Sequence, residues 1–325
     1  MNILVTGGAG YIGSHFVNKL RLAGNKVVVV DNFRESRLNI INDPLVEYID
    51  ADLRDHNALQ KAFDRPIDYV AHFAALANVP DSVSRPEEYY DANIVGGLNL
   101  LNVMLAANVK KLIFSSSASV YGEPQSAVIT ENHSKEPTNP YGRTKLIFEQ
   151  ILGDYHRAYG LDSISFRYFC AAGVDADSGL GEYHNPETHV IPAILETLLG
   201  KRKQFQVFGG NFPTPDGTGI RDFIHVNDVA DAHFLAIDKL KSSAPIYSQY
   251  NLGNNKGYSV LELINAAERL SGQKLNYVIA DKRPGDPSSL IADNTKAKAD
   301  LAWQPKYSDL DNLIGSAMKF FKQKK

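Results

Sequence analysis

The chain has 325 residues, 34 Lys and Arg against 37 Asp and Glu, and a net charge of −3 with its histidines neutral. That length buries a large core and, at roughly 150 residues per domain, predicts about two domains. Balanced charge offers no basic footprint for nucleic acid, and the single cysteine, Cys170, excludes an intramolecular disulfide and any zinc site built on several cysteines.

No apolar run reaches the length of about 18 residues that marks a membrane helix. Asn2-Ile3-Leu4-Val5 follows Met1 with no basic lead or signal-type segment. The expectation is a reduced, cytoplasmic, globular protein with no membrane or nucleic-acid partner.

In chain order, residues 3–5 read as a strand and residues 11–23 as a helix with apolar Ile12, Phe16, Val17 and Leu20 on one face. Gly24-Asn25 ends that helix, because glycine takes the left-handed turn most easily. Residues 26–30 are almost all valine, the pattern of a strand covered on both faces. Further strands are predicted over 46–49, 69–74 and 112–115, with helices over 56–63 and 93–107. Strands alternating with helices imply βαβ units. The fold class is therefore α/β, a Rossmann-type doubly wound parallel sheet.

The second half changes character. Gly, Pro, Asn and Asp cluster over 173–185 and 209–219, and helices are predicted over 191–199, 227–240 and 259–270. This reads as a smaller α/β substrate-binding domain with function-bearing loops. Residues 225–253 are expected to return to the first sheet. The division is then 1–168 with 225–253 for the dinucleotide, and 169–224 with 254–325 for the substrate. Residues 319–325, with four lysines, read as a solvated tail.

Gly7-Gly8-Ala9-Gly10-Tyr11-Ile12-Gly13 lies between the first strand and the first helix. Glycine is required there because the backbone must turn tightly and approach a pyrophosphate whose charge rests on the helix N-terminus. Asp31 ends the second strand, where a carboxylate accepts from an adenosine ribose diol and repels a 2′-phosphate. NAD is favoured over NADP on that ground, although Arg34 nearby is a residue that welcomes a phosphate. Asp52-Leu53 follows the third strand, where an acid can receive an adenine amino group. Small residues in Phe73-Ala74-Ala75 would let a cofactor lie close to the fourth strand.

Tyr141 and Lys145 stand at i and i+4 on one predicted helical face after Asn139-Pro140. A tyrosine with pKa about 10 is a poor base near neutrality. An adjacent ammonium favours the phenolate. Ser115-Ser116-Ser117-Ala118-Ser119 ends a preceding strand, so that Ser117 can bond the same substrate hydroxyl as Tyr141. Read alone, a Tyr-x-x-x-Lys pair is equally a surface pair on a helix. The order glycine turn, strand-end serine, Tyr-x-x-x-Lys is far more specific.

These motifs, with Arg167-Tyr168-Phe169, the block Pro213 to Val226 containing Arg221-Asp222, and Arg283-Pro284-Gly285-Asp286, resemble the extended short-chain dehydrogenases/reductases and, within them, the UDP-glucose 4-epimerases. The resemblance covers essentially the whole chain. It implies an isomerase that interconverts UDP-glucose and UDP-galactose through a transient 4-keto sugar, with bound NAD recycled. Tyr141 would take the proton of the sugar 4-hydroxyl, Lys145 would lower the tyrosine pKa and hold the nicotinamide ribose, and Ser117 would orient the hydroxyl. The cofactor set it implies is Gly7, Gly10, Tyr11, Ile12, Gly13, Asp31, Asn32, Asp52, Leu53, Phe73, Ala74, Ala75, Asn93, Ser115, Tyr141, Lys145 and Tyr168. Arg221 and Arg283 would grip the UDP pyrophosphate, Phe208 the uracil and Asp286 the uridine ribose. Ser117, Tyr141, Cys170, His189, Val190 and Leu290 complete the substrate set. A homodimer built on the helices over 93–107 and 141–159 is also implied.

Nucleotide-sugar dehydratases carry an acidic pair directly after the strand-end Ser or Thr. Here those positions are Ala118 and Ser119, so elimination lacks its acid and base. Two positions depart from the family pattern: Cys170 stands where Asn is usual, and Ala77 where some members have a lysine near the cofactor phosphates. Leu290, at the position whose size gates N-acetylated sugars, is intermediate. The residues therefore leave open a 4-epimerase of UDP-GlcNAc, UDP-glucuronate or a UDP-pentose, and a non-catalytic NAD-sensing protein. Glu182, His184, Glu187 and His189 lack the i, i+4 spacing of a helical metal site, and no metal is expected.

Overall fold

The computed structural model describes residues 1–38, 40–182, 189–283 and 286–323. The first half runs β1 (Asn2–Thr6), α1 (Tyr11–Leu22), β2 (Lys26–Asp31), β3 (Val46–Asp50), α2 (His56–Lys61) and β4 (Tyr69–His72). It continues through α3 (Val79–Ser84), α4 (Pro86–Tyr90), α5 (Gly96–Ala106), β5 (Lys111–Ser117), β6 (Val128–Ile129), α6 (Pro140–Tyr159) and β7 (Asp162–Tyr168). Then come β8 (Cys170–Ala172), α7 (Val190–Leu198), β9 (Phe205–Phe208), β10 (Ile220–His225), α8 (Val226–Leu240) and β11 (Tyr247–Leu252). The chain closes with β12 (Gly257–Ser259), α9 (Val260–Ser271), β13 (Tyr277–Ala280), β14 (Ser289–Ala292), α10 (Thr295–Leu301) and α11 (Leu310–Gln323).

Seven strands form one parallel sheet in the order β11-β7-β5-β4-β1-β2-β3. The valines of β2 are buried on both faces, as a strand between helical layers requires. The order reverses between β1 and β4, the switch point at which open α/β sheets bind ligands beyond their carboxyl ends. A second sheet, β12-β10-β14-β6, carries β8 on β10 and lies beside the pair β13-β9. Its core is built with α7, α9 and α11. The segment 225–253 supplies α8, which packs on α1, and β11, the edge strand of the large sheet. Ala297 and Leu301 of α10, and Trp303 after it, pack into the core of the large sheet, although they lie in the stretch expected to build the substrate lobe.

Helix ends follow local chemistry. The Asn139 side chain accepts from the Gly142 amide at 2.8 Å and Pro140 opens α6, while Gly160 closes it at φ 66°. Ser259 and Glu262 form a reciprocal capping box on α9. Two expectations change. Residues 91–95 are a π-helical turn rather than the start of an α-helix, with α5 following at Gly96. The C-terminal lysines do not form a solvated tail as far as Gln323. Lys319 and Lys322 lie on α11, whose Phe320 and Phe321 are buried, an apolar stripe that the lysine count concealed. Among the described residues no helix is long and apolar enough to cross a membrane.

Candidate active site

One cavity of about 1350 Å³ runs from Asp31 past the glycine turn to Tyr141 and on to Arg221 and Arg283. At its start the chain is folded tightly on itself. Gly7 sits at φ 68°, and a Cβ there would lie 2.5 Å from the Ala74 amide nitrogen, so only glycine lets β1 turn against the end of β4. A Cβ on Gly13 would overlap the Gly7 carbonyl oxygen. The Asp31 carboxylate ties β2 to this turn, accepting from the Ala9 amide at 3.1 Å, the Phe33 amide at 2.9 Å and the Ser36 hydroxyl at 3.0 Å. A turn of backbone amides at a helix start, a strand-end carboxylate and a long cavity suit a dinucleotide such as NAD.

Gly7, Gly10, Tyr11, Ile12, Gly13, Asp31, Asn32, Asp52, Leu53, Phe73, Ala74, Ala75, Ser115, Tyr141, Lys145 and Tyr168 all line the cavity. Asp52 arrives there already engaged. One carboxylate oxygen accepts from the Arg54 amide and Nε, the other from Arg54 Nη2 and the Asn32 amide, each at 2.8 or 2.9 Å. The Arg54 side chain holds its carboxyl well below the usual range. Asn93 does not line the cavity. It is buried in the π turn, where its side chain bonds both backbone groups of Leu76 and the Thr144 hydroxyl. It braces the cavity wall at Leu76, and π turns recur at functional sites.

Tyr141 and Lys145 occupy the first turns of α6, and Ser117 ends β5 opposite them. Burial raises the Tyr141 pKa, and the nearby Ser117 hydroxyl pulls it the other way. Lys145 donates to the Ser115 carbonyl at 2.7 Å, and its ammonium stands 5.7 Å from the Tyr141 ring centre. Burial pushes Lys145 down to about 7, with the charge of Glu149 opposing. Tyr168 donates its hydroxyl to His233 Nε2 at 2.6 Å, since His233 Nδ1 is committed to the Val229 carbonyl at 2.9 Å. The turn Ala118–Val120 after Ser117 carries no acid.

Cys170, His189, Val190, Phe208, Arg221, Arg283 and Asp286 line the far part of the cavity. The Arg283 guanidinium lies 4.7 Å from the Phe208 ring centre and its Nε donates to Asp286 at 3.0 Å. Arg221 reaches the same carboxylate at 3.6 Å and donates to the Pro287 carbonyl at 2.9 Å. Two guanidinium groups sharing one carboxylate leave a local positive charge fit for a diphosphate. Burial pushes the Cys170 thiol up to about 11, with Arg221 opposing, so it is a neutral, weak donor. Leu290 departs from expectation. It pairs in register with Arg221 but packs on the cluster of Ala118, Val120 and Phe169 rather than lining the cavity.

His189 bonds Glu182 at 2.7 Å, whereas His184 and Glu187 lie outside the described residues. Among the described residues no group of three His, Cys, Asp or Glu side chains could hold a metal ion. Residue types and spacing gave no sign of Arg54, Phe169, Arg202 or Gln206, which also line the cavity. Only the position of Phe169 between two expected site residues could have marked it.

The profile of the NAD dependent epimerase/dehydratase family matches residues 3–253. A UDP-glucose 4-epimerase of Lacticaseibacillus casei is 44% identical over 322 residues, covering 98% of this chain and 96% of that protein. The crystal structure of a UDP-glucose 4-epimerase from Stenotrophomonas maltophila, with bound NAD and formylated UDP-arabinopyranose, superposes with a TM-score of 0.95. It is 39% identical and covers 100% of this chain and 98% of that one. The Bifidobacterium longum UDP-glucose 4-epimerase, solved with NAD+ and UDP, gives 0.92 at 40% identity, covering 99% and 98% of the two chains. The chain belongs to the NAD dependent epimerase/dehydratase family.

Proposed function

We propose that this member of the family is an isomerase that interconverts UDP-glucose and UDP-galactose at C4, with NAD as its bound cofactor. One observation carries the reading. A single cavity is lined by Tyr141, Lys145 and Ser117 together with a glycine turn suited to a dinucleotide and an arginine pair suited to a diphosphate. Similarity over nearly the full length to epimerases solved with NAD and UDP ligands supports it.

When bound, NAD supplies a reversible hydride acceptor for C4. The chain's residues are left with the proton and with holding the sugar. Tyr141 takes the proton of the 4-hydroxyl and later returns it to the oxygen of the 4-keto sugar. Ser117 holds that oxygen in line, and Lys145 stabilises the phenolate. Arg221 and Arg283 hold the diphosphate, so the sugar itself is gripped loosely enough to present either face. With Ala118 and Ser119 in place of acids, no group stands ready to expel water. The glycine turn and Asp31 hold the dinucleotide on the lobe of residues 1–168 with 225–253. The UDP-sugar lies on 169–224 and 254–325, apart from α10 and Trp303, which join the core of the large sheet.

We also take the chain to act in the cytoplasm, where nucleotide sugars and NAD circulate, and to pair as a homodimer. Leu98 and Leu105 of α5 and Ile147 of α6 are half-exposed and belong to none of the apolar cores, and the Tyr155 hydroxyl links the two helices through Asn102 at 3.2 Å. Two such faces would bury each other across a twofold axis.

The test is a coupled assay with UDP-galactose, UDP-N-acetylglucosamine and UDP-xylose. Activity on UDP-galactose is expected, with Tyr141→Phe slower by about a hundredfold or more. A fully active Tyr141→Phe refutes the proposed base, and turnover confined to another UDP-sugar refutes the substrate.

A further inference from the structure

Two charged side chains with no part in the chemistry above are buried beside it. Glu149 is 3% exposed and Arg167 is 2% exposed. Arg167 Nε donates to one Glu149 oxygen at 2.9 Å and Nη2 to the other at 2.6 Å. Glu149 follows Lys145 by one helical turn on the face of α6 that carries Tyr141, and Arg167 lies on β7, the neighbour of β5.

The remaining bonds of this pair fall on either side of Ser117. Ser116, just before it, donates its hydroxyl to Glu149 at 2.6 Å. Tyr121, at the end of the turn just after it, accepts from Arg167 Nη1 at 2.9 Å and donates onward to Asn251 at 2.6 Å. Ser115, one residue further back, gives Lys145 its carbonyl partner. The segment 115–121 that carries Ser117 is thus pinned to α6 and β7 at three points.

Stability is a poor reason for such a pair. Desolvating two charges offsets most of their attraction, and apolar residues of equal volume often serve as well or better. We propose that the Glu149–Arg167 pair is a positioning device for the proton-transfer site, fixing Ser117 from both sides while setting a carboxylate charge one helical turn from Lys145. The proposal rests on the reading of Tyr141, Lys145 and Ser117 as the groups that handle the sugar proton.

The titratable groups around Lys145 are Tyr141 and Glu149 on its own helix, His72 on β4 and Tyr168 on β7. His72 is held down to about 3 by burial and is neutral in the working range. Burial holds Tyr168 well above its ordinary value, so it is neutral too. Glu149 is the acid whose charge opposes the burial of the ammonium. Removing it lets Lys145 lose its proton at lower pH.

The experiment compares full-length, NAD-loaded wild type, Tyr141→Phe and Glu149→Gln, with kcat and KM for UDP-galactose measured from about pH 6 to about pH 10. For Glu149→Gln the expected result is a kcat lower by about tenfold near pH 8, a KM within about twofold, and an alkaline limb displaced to lower pH. A kcat profile of wild-type shape, with any loss explained by the fraction of folded protein, overturns the proposal. Should Glu149→Gln fail to fold, Ser116→Ala leaves the ion pair whole and removes only its hold on β5. A kcat lower by about threefold at constant KM is then expected, and an unchanged kcat overturns the proposal. An active Tyr141→Phe refutes the proton site itself, whereas an inactive Tyr141→Phe beside an unshifted Glu149→Gln refutes only the positioning role.

Discussion

His15, His72, His225 and His233 are all buried, and burial is the largest influence on each ring. It lowers the pKa to about 4 for His15 and His225 and to about 3 for His72 and His233. Two of these rings accept from backbone amides that cannot reverse. His15 Nε2 takes the Asp175 amide at 3.1 Å and His225 Nδ1 the Asn227 amide at 3.1 Å. Protonating either nitrogen sets donor against donor. An unfolded histidine titrates near 6.5, so between about pH 6.5 and pH 4 the unfolded chain binds more protons than the folded one. Stability then falls as pH falls.

Asp222 acts in the opposite sense. Burial raises it to about 7 against bonds from the Asn254, Ala292 and Asn255 amides. Its contribution is present at low pH and is lost as pH rises through that value. Asp228, also raised by burial, has the same sign. Near pH 5 the four histidines gain almost one proton each on unfolding and the two aspartates give back one to two, leaving about two to three taken up. At about 1.4 kcal/mol per proton per pH unit, roughly 4 kcal/mol of stability is lost between pH 7 and pH 5, out of the 5–15 kcal/mol typical of a domain. Urea unfolding at one fixed NAD concentration measures this. The single tryptophan, Trp303, is fully buried with its indole N–H on the Asp228 carbonyl at 2.8 Å, and serves as the fluorescent probe. A slope below about one proton at pH 5 would refute the neutral-ring account.

Gly13→Ala places a methyl group into the Gly7 carbonyl oxygen and 2.9 Å from the Gly8 Cα. Overpacking of about 1–3 kcal/mol is expected to weaken NAD retention by about tenfold or more, read as cofactor absorbance per purified chain. Cys170→Asn replaces a weak donor with an amide at the cavity wall. The KM for the UDP-sugar should fall by about two- to tenfold, the worth of one neutral hydrogen bond, and a raised KM would count against Cys170 as a substrate contact. Ile147→Glu puts a charge on the half-exposed face of α6, away from the cavity. If that face pairs two copies, light scattering after gel filtration finds monomer where the wild type gives dimer.

The first sheet was legible because its physics is local. Four valines in β2, the glycine turn after β1 and the apolar spacing of α1 each announce their element within a few residues. The C-terminal segment was harder for the same reason in reverse. Lys319, Lys322, Lys324 and Lys325 dominate the composition of the last seven residues, yet a helix needs one buried stripe rather than an apolar majority. Phe320 and Phe321 continue the stripe of Leu313, Ile314, Ala317 and Met318, which becomes visible only when the window is widened to the whole of α11. Trp303 shows the complementary limit. Nothing in its surroundings says that it joins the large sheet's core, because its partner, the Asp228 carbonyl, is 75 residues away.

The same distinction separates the parts of the site. Tyr141 and Lys145 declare themselves by spacing, because both chemistry and geometry lie on one helix. Glu149 continues that spacing as plainly, but an acid at i+8 on a helix is ordinarily a solvated residue. Its meaning comes from Arg167, 18 residues on, and from Ser116, 33 residues back. Asn93 and Leu290 fail in the other direction. Both stand at positions where the family suggests a ligand, yet Asn93 spends its amide on Leu76 and Thr144, and Leu290 spends its surface on Ala118 and Phe169. Each stands behind the cavity wall instead, Asn93 at Leu76 and Leu290 at Phe169. A residue type specifies what a side chain can bond, but the partner that satisfies it is chosen by long-range packing, and a buried polar group takes whichever partner the fold brings first. Substitutions at Asn93 should accordingly disturb the Leu76 wall and helix α6 together, whereas those at Tyr141 should silence chemistry and leave the fold intact.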